Sequence, residues 1–157
     1  MARVFDSYYA GGSWHRTART FADMNPGNDQ VWANVADMDI NDVRRTIQAA
    51  QDGFSEWSQL PFTERANFML KAADECDRRK DDLCAALQAE GGGWWGKGMF
   101  EAGFIATVFR AAAAMAYQSI GEVLPSEHGK VSMAVRVPMG VISVISPWNF
   151  PGILSSR

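Results

Sequence analysis

Asn149 combines a hydrogen-bonding side chain with a setting in which ligands are often bound. It lies in the segment Pro147-Trp148-Asn149-Phe150-Pro151, whose prolines restrict the backbone on either side of it. The segment directly follows Val141 to Ile145, a β-branched run typical of a strand that is covered on both faces of a parallel sheet. Open α/β sheets bind ligands beyond the carboxyl ends of such strands, so Asn149 is a candidate ligand-contacting amide. The alternative is a turn residue, since Asn and Pro both favour turns.

The two cysteines and two histidines do not have the spacing of a metal or redox site. Cys76 falls on an apolar helical stripe, which predicts an inert buried thiol, because a reactive thiol needs exposure and a positive neighbourhood. Cys84 is expected nearer the surface but without that neighbourhood. His15 and His128 lie in polar stretches and are expected to be solvated. We therefore predict no metal site and no nucleophilic cysteine within these 157 residues.

The N-terminal residues predict a small antiparallel unit. Tyr8 to Trp14 places aromatic residues around a Gly-Gly pair, which is typical of a hairpin with a tight turn. Asn25 to Asp29 is a second turn cluster, flanked by extended stretches at 20–24 and 30–36.

Three helices are predicted next, from apolar residues that recur at intervals of three and four. The first begins after Asp39 as N-cap. The second runs from Thr63 through a charged stretch to Gly91-Gly92-Gly93. The third, from about Met99 to Ser119, carries little charge and is expected to be buried nearly all round before Gly121 closes it. Trp94 and Trp95 are expected to pack against neighbouring helices. The inner faces are expected to comprise Ile40, Val43, Ile47, Ala50 and Phe54 on the first helix, and Ala66, Met69, Leu70, Ala73 and Cys76 on the second.

The last section is extended. Val131 to Val137 alternates in hydrophobicity, as in a strand with one covered face, and Pro138-Met139-Gly140 then interrupts it. A parallel strand at Val141 to Ile145 needs a neighbour, which takes a crossover of about a dozen residues or more to reach. Only residues 146–157 follow, so we expect the sheet that this strand joins to be encoded elsewhere.

Composition limits the classes of partner. Fifteen basic and eighteen acidic residues give a formal net charge of -3, which provides no basic surface for nucleic acid or an anionic membrane. No stretch is expected to approach the roughly 18 apolar residues that span a bilayer. With no cysteine framework and no leader-like start, a cytoplasmic location is expected.

The order of short motifs resembles the N-terminal portion of the aldehyde dehydrogenase superfamily. Its members carry the same Pro-Trp-Asn-Phe-Pro segment after a hydrophobic strand that is preceded by Pro-X-Gly. Further motifs agree in order: Gly-Gly-X-Trp at residues 11–14, Asn-Pro at 25–26, Phe-X-X-Trp at 54–57 and Gly-Glu-Val-Leu-Pro at 121–125. Residues 91–97, together with Met99-Phe100-Glu101, are more similar to members that act on aromatic aldehydes such as benzaldehyde or vanillin.

The resemblance implies an α/β fold. Residues 1–157 would form an incomplete Rossmann-like NAD-binding domain with an N-terminal hairpin and three helices. Residues 123–138 resemble part of the oligomerisation hairpin, for which an ordinary edge strand is the alternative. The catalytic domain would not be included, and the full-length form is expected to be a homo-oligomer.

The resemblance also assigns roles to individual residues. Asn149 would donate its amide to the oxyanion that forms when a thiolate attacks the aldehyde carbonyl. Ile145, Ser146, Pro147 and Trp148 would line the cofactor, either NAD or NADP. Phe104, Phe150 and Leu154 would wall the aldehyde tunnel.

The implied activity is NAD(P)-dependent oxidation of a small-molecule aldehyde to a carboxylic acid. The family's nucleophilic Cys and its Glu base come later in the family pattern, so this chain is expected to be truncated and inactive alone. The alternative is a non-catalytic interaction module that uses the N-terminal unit and Val131 to Val137 to join full-length subunits. Exposed apolar strand edges favour such pairing.

Overall fold

The computed structural model describes residues 2–157. Within them it contains seven strands and five helices. In chain order these are β1 (Arg3–Phe5), β2 (Ser7–Ala10), β3 (Ser13–Arg16), β4 (Arg19–Asn25), β5 (Gln30–Asp37), α1 (Ile40–Gln59), α2 (Phe62–Arg78), α3 (Lys80–Gly91), α4 (Trp95–Met115), β6 (Gly121–Leu124), β7 (Ser132–Val135) and α5 (Pro151–Ser156).

Two small sheets form the N-terminal unit. β2 and β3 make the predicted hairpin, whose turn residues Gly11 and Gly12 have φ values of 56° and 80°. Two positive φ values in succession match a type I′ turn, which glycine adopts without steric cost. β4 and β5 pair antiparallel around the predicted turn at 25–29, but β1 joins β5 in parallel. The unit is therefore mixed, and the purely antiparallel prediction was wrong for β1.

Helix α1 begins where the sequence predicts. The Asp39 carboxylate accepts hydrogen bonds from the amides of Asn41 and Asp42, and the Asp42 side chain completes a capping box. The bonds from Asp42 and Asn41 hold the pKa of the Asp39 carboxyl below its usual value. The predicted apolar face is present, but Ile40, Val43 and Ile47 are exposed. The described residues leave this face uncovered.

The predicted second helix is two helices. The chain breaks at Arg79, whose φ of -103° and ψ of 19° leave the helical range, and α3 then continues to a left-handed Gly92. Leu70 is exposed, contrary to the predicted stripe. Cys84, which was expected nearer the surface, is buried, and Cys76, which was expected to be buried, is half-buried. The Cys84 thiol faces α4, with its Sγ 3.7 Å from the Trp95 carbonyl oxygen, and this contact buries it.

Helix α4 is the centre of the helical layer and packs against α2, α3 and α5. Among the described residues, α4 is the one helix that is long and apolar enough to cross a membrane, judged by length and composition alone. The expectation that no stretch approaches the length of a membrane span was therefore wrong. A core helix meets the same criterion, and 33% of the apolar window is buried here. The prediction of burial nearly all round was also wrong, because Phe100, Phe104 and Met115 are exposed. Trp94 and Trp95 are exposed rather than packed.

The C-terminal third contains a hairpin and an irregular segment. β6 and β7 pair antiparallel, so Gly121 begins a strand, whereas α4 already ends at Met115. The strand predicted at Val141 to Ile145 is not formed, and all five residues are exposed. A strand exists only when its amides and carbonyls pair with a neighbour, and no described residue provides one for this segment.

Gly98 allows α3 and α4 to approach closely. A Cβ added there would lie 2.9 Å from Cys84 Sγ and 3.3 Å from the Cys84 carbonyl oxygen. We expect Gly98→Ala to lower the free energy of unfolding by about 1 to 3 kcal/mol through overpacking. Urea denaturation followed by circular dichroism measures this change.

Gly53 on α1 provides the matched control, because a Cβ there would meet nothing within 4 Å. Gly53→Ala is expected to stabilise by about 0.5 to 1 kcal/mol through helix propensity. Equal stabilisation by both substitutions would contradict the close approach at Gly98.

Candidate functional site

Asn149 lies in a short turn between the irregular segment and α5, and its side chain is exposed. Ile145 and Trp148 are 91% and 81% exposed. Asn149 was expected to follow the end of a buried strand, and no such strand is present in the described residues. The turn is instead held from its C-terminal side, where α5 begins.

Glu101 of α4 anchors the start of α5. The Gly152 amide donates a hydrogen bond of 2.7 Å to Glu101 Oε1, and these residues are 51 positions apart in the chain. Glu101 is fully buried and is the largest fully buried side chain in the described structure. Its second oxygen, Oε2, accepts from Lys97 Nζ at 2.5 Å. Both carboxylate oxygens are thus paired, as a buried charge requires.

Close packing reinforces this anchor. Ile153 is buried, and a Cβ at Gly152 would lie 2.6 Å from Ile105 Cδ1. A larger residue at position 152 would require the Ile105 side chain to shift. Ser146 adds a local restraint, because its hydroxyl donates to the Pro151 carbonyl at 2.6 Å. The turn that contains Asn149 is therefore fixed at both of its ends.

Three aromatic rings gather beside the turn. Phe100 stacks on Phe104 with ring centroids 5.7 Å apart and meets Phe150 edge to face at 6.5 Å. Both arrangements are favoured geometries for aromatic pairs. Phe100 and Phe104 remain exposed, as does Leu154. Two of the predicted tunnel residues, Phe104 and Phe150, are brought together through Phe100, which the sequence analysis had assigned no role in the site.

Ile145, Ser146, Pro147 and Trp148 form an accessible, largely apolar strip next to Asn149. No described residue covers this strip, so its role in cofactor binding stays a prediction.

Neither cysteine has the environment of a nucleophile. Burial raises the pKa of the Cys76 thiol, and the adjacent Asp77 and Glu75 raise it further. Cys84 is 3% exposed, and its thiol faces Gln88 Oε1 and the Trp95 carbonyl at 3.8 and 3.7 Å.

The Lys97 and Glu101 pair was not singled out from the sequence. The available indication was their spacing of four residues at the start of a helix that otherwise carries little charge. Charged side chains in such a helix are retained when they are paired. The link from Glu101 to Gly152 had no sequence indication, because it joins segments far apart in the chain.

Comparisons with known proteins agree with this geometry. The model of the aldehyde dehydrogenase family matches residues 14–157. A vanillin dehydrogenase from Pseudomonas sp. strain HR199 is 39% identical over 142 residues, covering 88% of this chain and 29% of that protein. Succinate-semialdehyde dehydrogenase from Rattus norvegicus mitochondria is 29% identical over 150 residues, covering 95% of this chain and 29% of that protein.

Solved structures show the same fold. The crystal structure of an NAD-dependent benzaldehyde dehydrogenase from Corynebacterium glutamicum superposes with a TM-score of 0.87 at 30% identity. The match covers 96% of this chain and 34% of that one. The chain thus spans about a third or less of the length of the proteins it matches.

We expect the raised pKa of Cys76 to appear in its chemistry. Because the thiolate is the reactive form, alkylation by iodoacetamide should be slow at neutral pH and still rise beyond the usual cysteine pKa, about 8.5. Mass spectrometry of the 157-residue chain across pH measures this rate. Cys84 serves as the internal reference and should react only after urea is added. A plateau in Cys76 reactivity below pH 8 would contradict the assigned environment.

Proposed function

Because the chain belongs to the aldehyde dehydrogenase family and has the α/β, incomplete Rossmann-like fold of its N-terminal portion, we propose that it serves the NAD(P)-dependent oxidation of an aromatic aldehyde. The observation that carries this proposal is the accessible Asn149 amide, which follows the apolar strip in the chain and directly precedes Phe150 of the aromatic cluster. The strip faces the cofactor and the rings face the aldehyde.

Asn149 acts as an oxyanion donor in this proposal. Attack on an aldehyde carbonyl places negative charge on its oxygen, and a fixed amide N–H stabilises that charge more strongly in the transition state than in the substrate. An amide suits the role because it is a neutral donor that has no proton to lose. Its exposed side chain can reach a carbonyl placed between the two surfaces.

The cofactor, NAD or NADP, supplies the hydride acceptor when bound. Ile145 and Trp148 provide apolar contact surface for it, and Ser146 and Pro147 shape the backbone between them. The Corynebacterium glutamicum relative is described as NAD-dependent, which supports a nicotinamide dinucleotide at this wall.

An aromatic substrate is favoured by the rings. Phe104, Phe150 and Phe100 offer faces and edges for an aromatic aldehyde to pack against, and Leu154 extends the apolar surface. The vanillin dehydrogenase relative supports this class. The succinate-semialdehyde relative makes a carboxylated aliphatic aldehyde the substrate to test against it.

The 157-residue chain is proposed to be inactive alone. Aldehyde oxidation in this family needs a thiolate nucleophile, and neither Cys76 nor Cys84 provides an accessible, low-pKa thiol. The chain therefore contributes the oxyanion donor and one side of the substrate site, and the nucleophile and the Glu base must come from other residues.

A chimaera tests the role of Asn149. This chain would replace the matching N-terminal part of the Pseudomonas sp. strain HR199 vanillin dehydrogenase, and NADH formation with vanillin would be followed. We expect Asn149→Ala to lower kcat by about a hundred- to a thousandfold, the usual cost of losing one oxyanion donor. The isolated chain is expected to give no NADH with benzaldehyde or vanillin.

Asn67→Ala on the exposed surface of α2 is the matched control and should leave kcat within about twofold. A kcat for Asn149→Ala equal to that of the control would refute the oxyanion role. Faster turnover with succinate semialdehyde than with vanillin would refute the aromatic substrate class.

A second candidate function is subunit association. In the β6–β7 hairpin Val123 lies opposite Met133, so these side chains share one face with Val135. All three are exposed, with Val123 72% exposed. An exposed apolar face on a two-stranded hairpin favours pairing with a second strand or subunit. In this alternative the chain is a non-catalytic module that joins full-length subunits.

Association is expected to depend on that face. Met133→Lys should shift the chain toward monomer in sedimentation experiments at micromolar concentration, because burying an unpaired lysine is unfavourable. Ala134→Lys on the opposite face is the control and should leave association unchanged. A wild-type chain that sediments as a monomer and does not co-purify with a full-length relative would eliminate this function.

A further inference from the structure

Helix α5 lacks a capping side chain of its own. Its N-cap residue is Phe150, which makes no side-chain cap hydrogen bond, and its first residue, Pro151, has no N–H. Gly152 is therefore the first residue of α5 with an amide to satisfy, and its donor meets Glu101 Oε1 at 2.7 Å. The cap of α5 is thus supplied by a carboxylate from α4, and a charged acceptor at a helix N-terminus also interacts favourably with the helix dipole.

The position of this carboxylate is fixed by Lys97. Lys97 Nζ forms a 2.5 Å ion pair with Glu101 Oε2 and lies 4.9 Å from the centroid of the Phe150 ring. One ammonium therefore contacts both the capping carboxylate and the aromatic ring next to Asn149. The lysine is largely buried, with 22% of its side chain exposed, so solvent screens these contacts less than surface pairs.

Both contacts reach the chain immediately after Asn149. Phe150 is the next residue and Gly152 lies three positions on, while Ile105 closes against Gly152 from the same helix. In the described residues no strand supports Asn149 from the preceding side. Apart from the local bond from the Ser146 hydroxyl to the Pro151 carbonyl, the contacts that hold this turn come from α4.

We propose that Glu101, fixed by Lys97, is a positioning residue that sets the location of the Asn149 amide by capping α5. The positioning itself is independent of activity, but its catalytic consequence rests on the proposed function. Glu101 does not touch the substrate in this assignment. It acts through Gly152 and the turn.

Amide hydrogen exchange in the 157-residue chain tests the positioning. Glu101→Leu removes the acceptor, and exchange of the Gly152 amide should accelerate by about ten- to a hundredfold, as expected for losing a hydrogen bond to a charged group. Core amides such as that of Ala73 should keep their protection. Glu101→Gln retains an acceptor oxygen and should restore most of the protection at Gly152.

Lys97→Met should accelerate exchange at Gly152 less than Glu101→Leu, and should change the ring resonances of Phe150. Lys71→Met is the matched control, because Lys71 also lies over a ring, that of Phe68, but on α2 and far from α5 in sequence. It should leave Gly152 unaffected. Unchanged Gly152 exchange in Glu101→Leu, with the core intact, would overturn the proposal.

The vanillin dehydrogenase chimaera then separates positioning from function. Glu101→Leu should lower kcat by about ten- to a hundredfold with KM within about twofold, and Glu101→Gln should recover most of it. Accelerated exchange together with unchanged kcat in both Glu101→Leu and Asn149→Ala would retain the positioning and refute the proposed function. Unchanged Gly152 exchange in Glu101→Leu, together with a reduced kcat in Asn149→Ala, would refute the positioning and retain the proposed function.

Discussion

The buried Glu101 carboxylate is the constraint on which the C-terminal part of this structure depends. A fully buried charge persists only when its oxygens are paired, and here the partners are a lysine one turn earlier and a backbone amide 51 residues later. The first partner fixes the carboxylate on α4, and the second fixes α5 on the carboxylate. Without this bond, the end of the chain would attach to the helical layer only through Ile153 and its neighbours. A polar interaction therefore determines where the Pro147 to Pro151 segment lies.

Many apolar side chains of this chain line up on one face of a helix or hairpin, yet no described residue covers that face. The apolar face of α1, the Val123, Met133 and Val135 face of the hairpin, and the rings of Phe100 and Phe104 are exposed although their spacing is that of buried faces. The chain spans 29% of the length of the vanillin dehydrogenase it resembles. Periodicity reports which face of an element will be buried, and it does not report whether the covering element belongs to the same stretch of chain. This explains why the predicted stripe of α1 was correct in spacing but is exposed, whereas Ala66 and Ala73 of the α2 stripe are buried against neighbouring helices.

Features fixed by local rules were predictable from the sequence. The Gly11-Gly12 hairpin, the Asp39 cap and the Gly92 end of α3 follow from φ preferences and hydrogen bonding within a few residues. The break at Arg79 was missed because helical periodicity continues through it on both sides. The strand at Val141 to Ile145 was predicted from composition, but no described residue pairs with this segment. Of the site, Phe104 and Phe150 were singled out as wall residues and both contact Phe100, but their role stays a prediction. The Glu101 cap depends on a contact that no local pattern contains.

An exposed oxyanion donor has a specific physical consequence. In contact with water an amide N–H is already hydrogen-bonded, so exchanging water for an oxyanion gains little, whereas the same donor in a site from which water is excluded contributes several kcal/mol, roughly 3 to 4. In the proposal, α4 and α5 position the turn that carries Asn149, while its side chain is exposed to solvent. Positioning of the amide and exclusion of water from it are therefore separate contributions, and Glu101 is proposed to supply only the positioning. In the proposed function, Asn149 is the donor, and its contribution to catalysis is largest where water is excluded from the space between the apolar strip and the aromatic cluster.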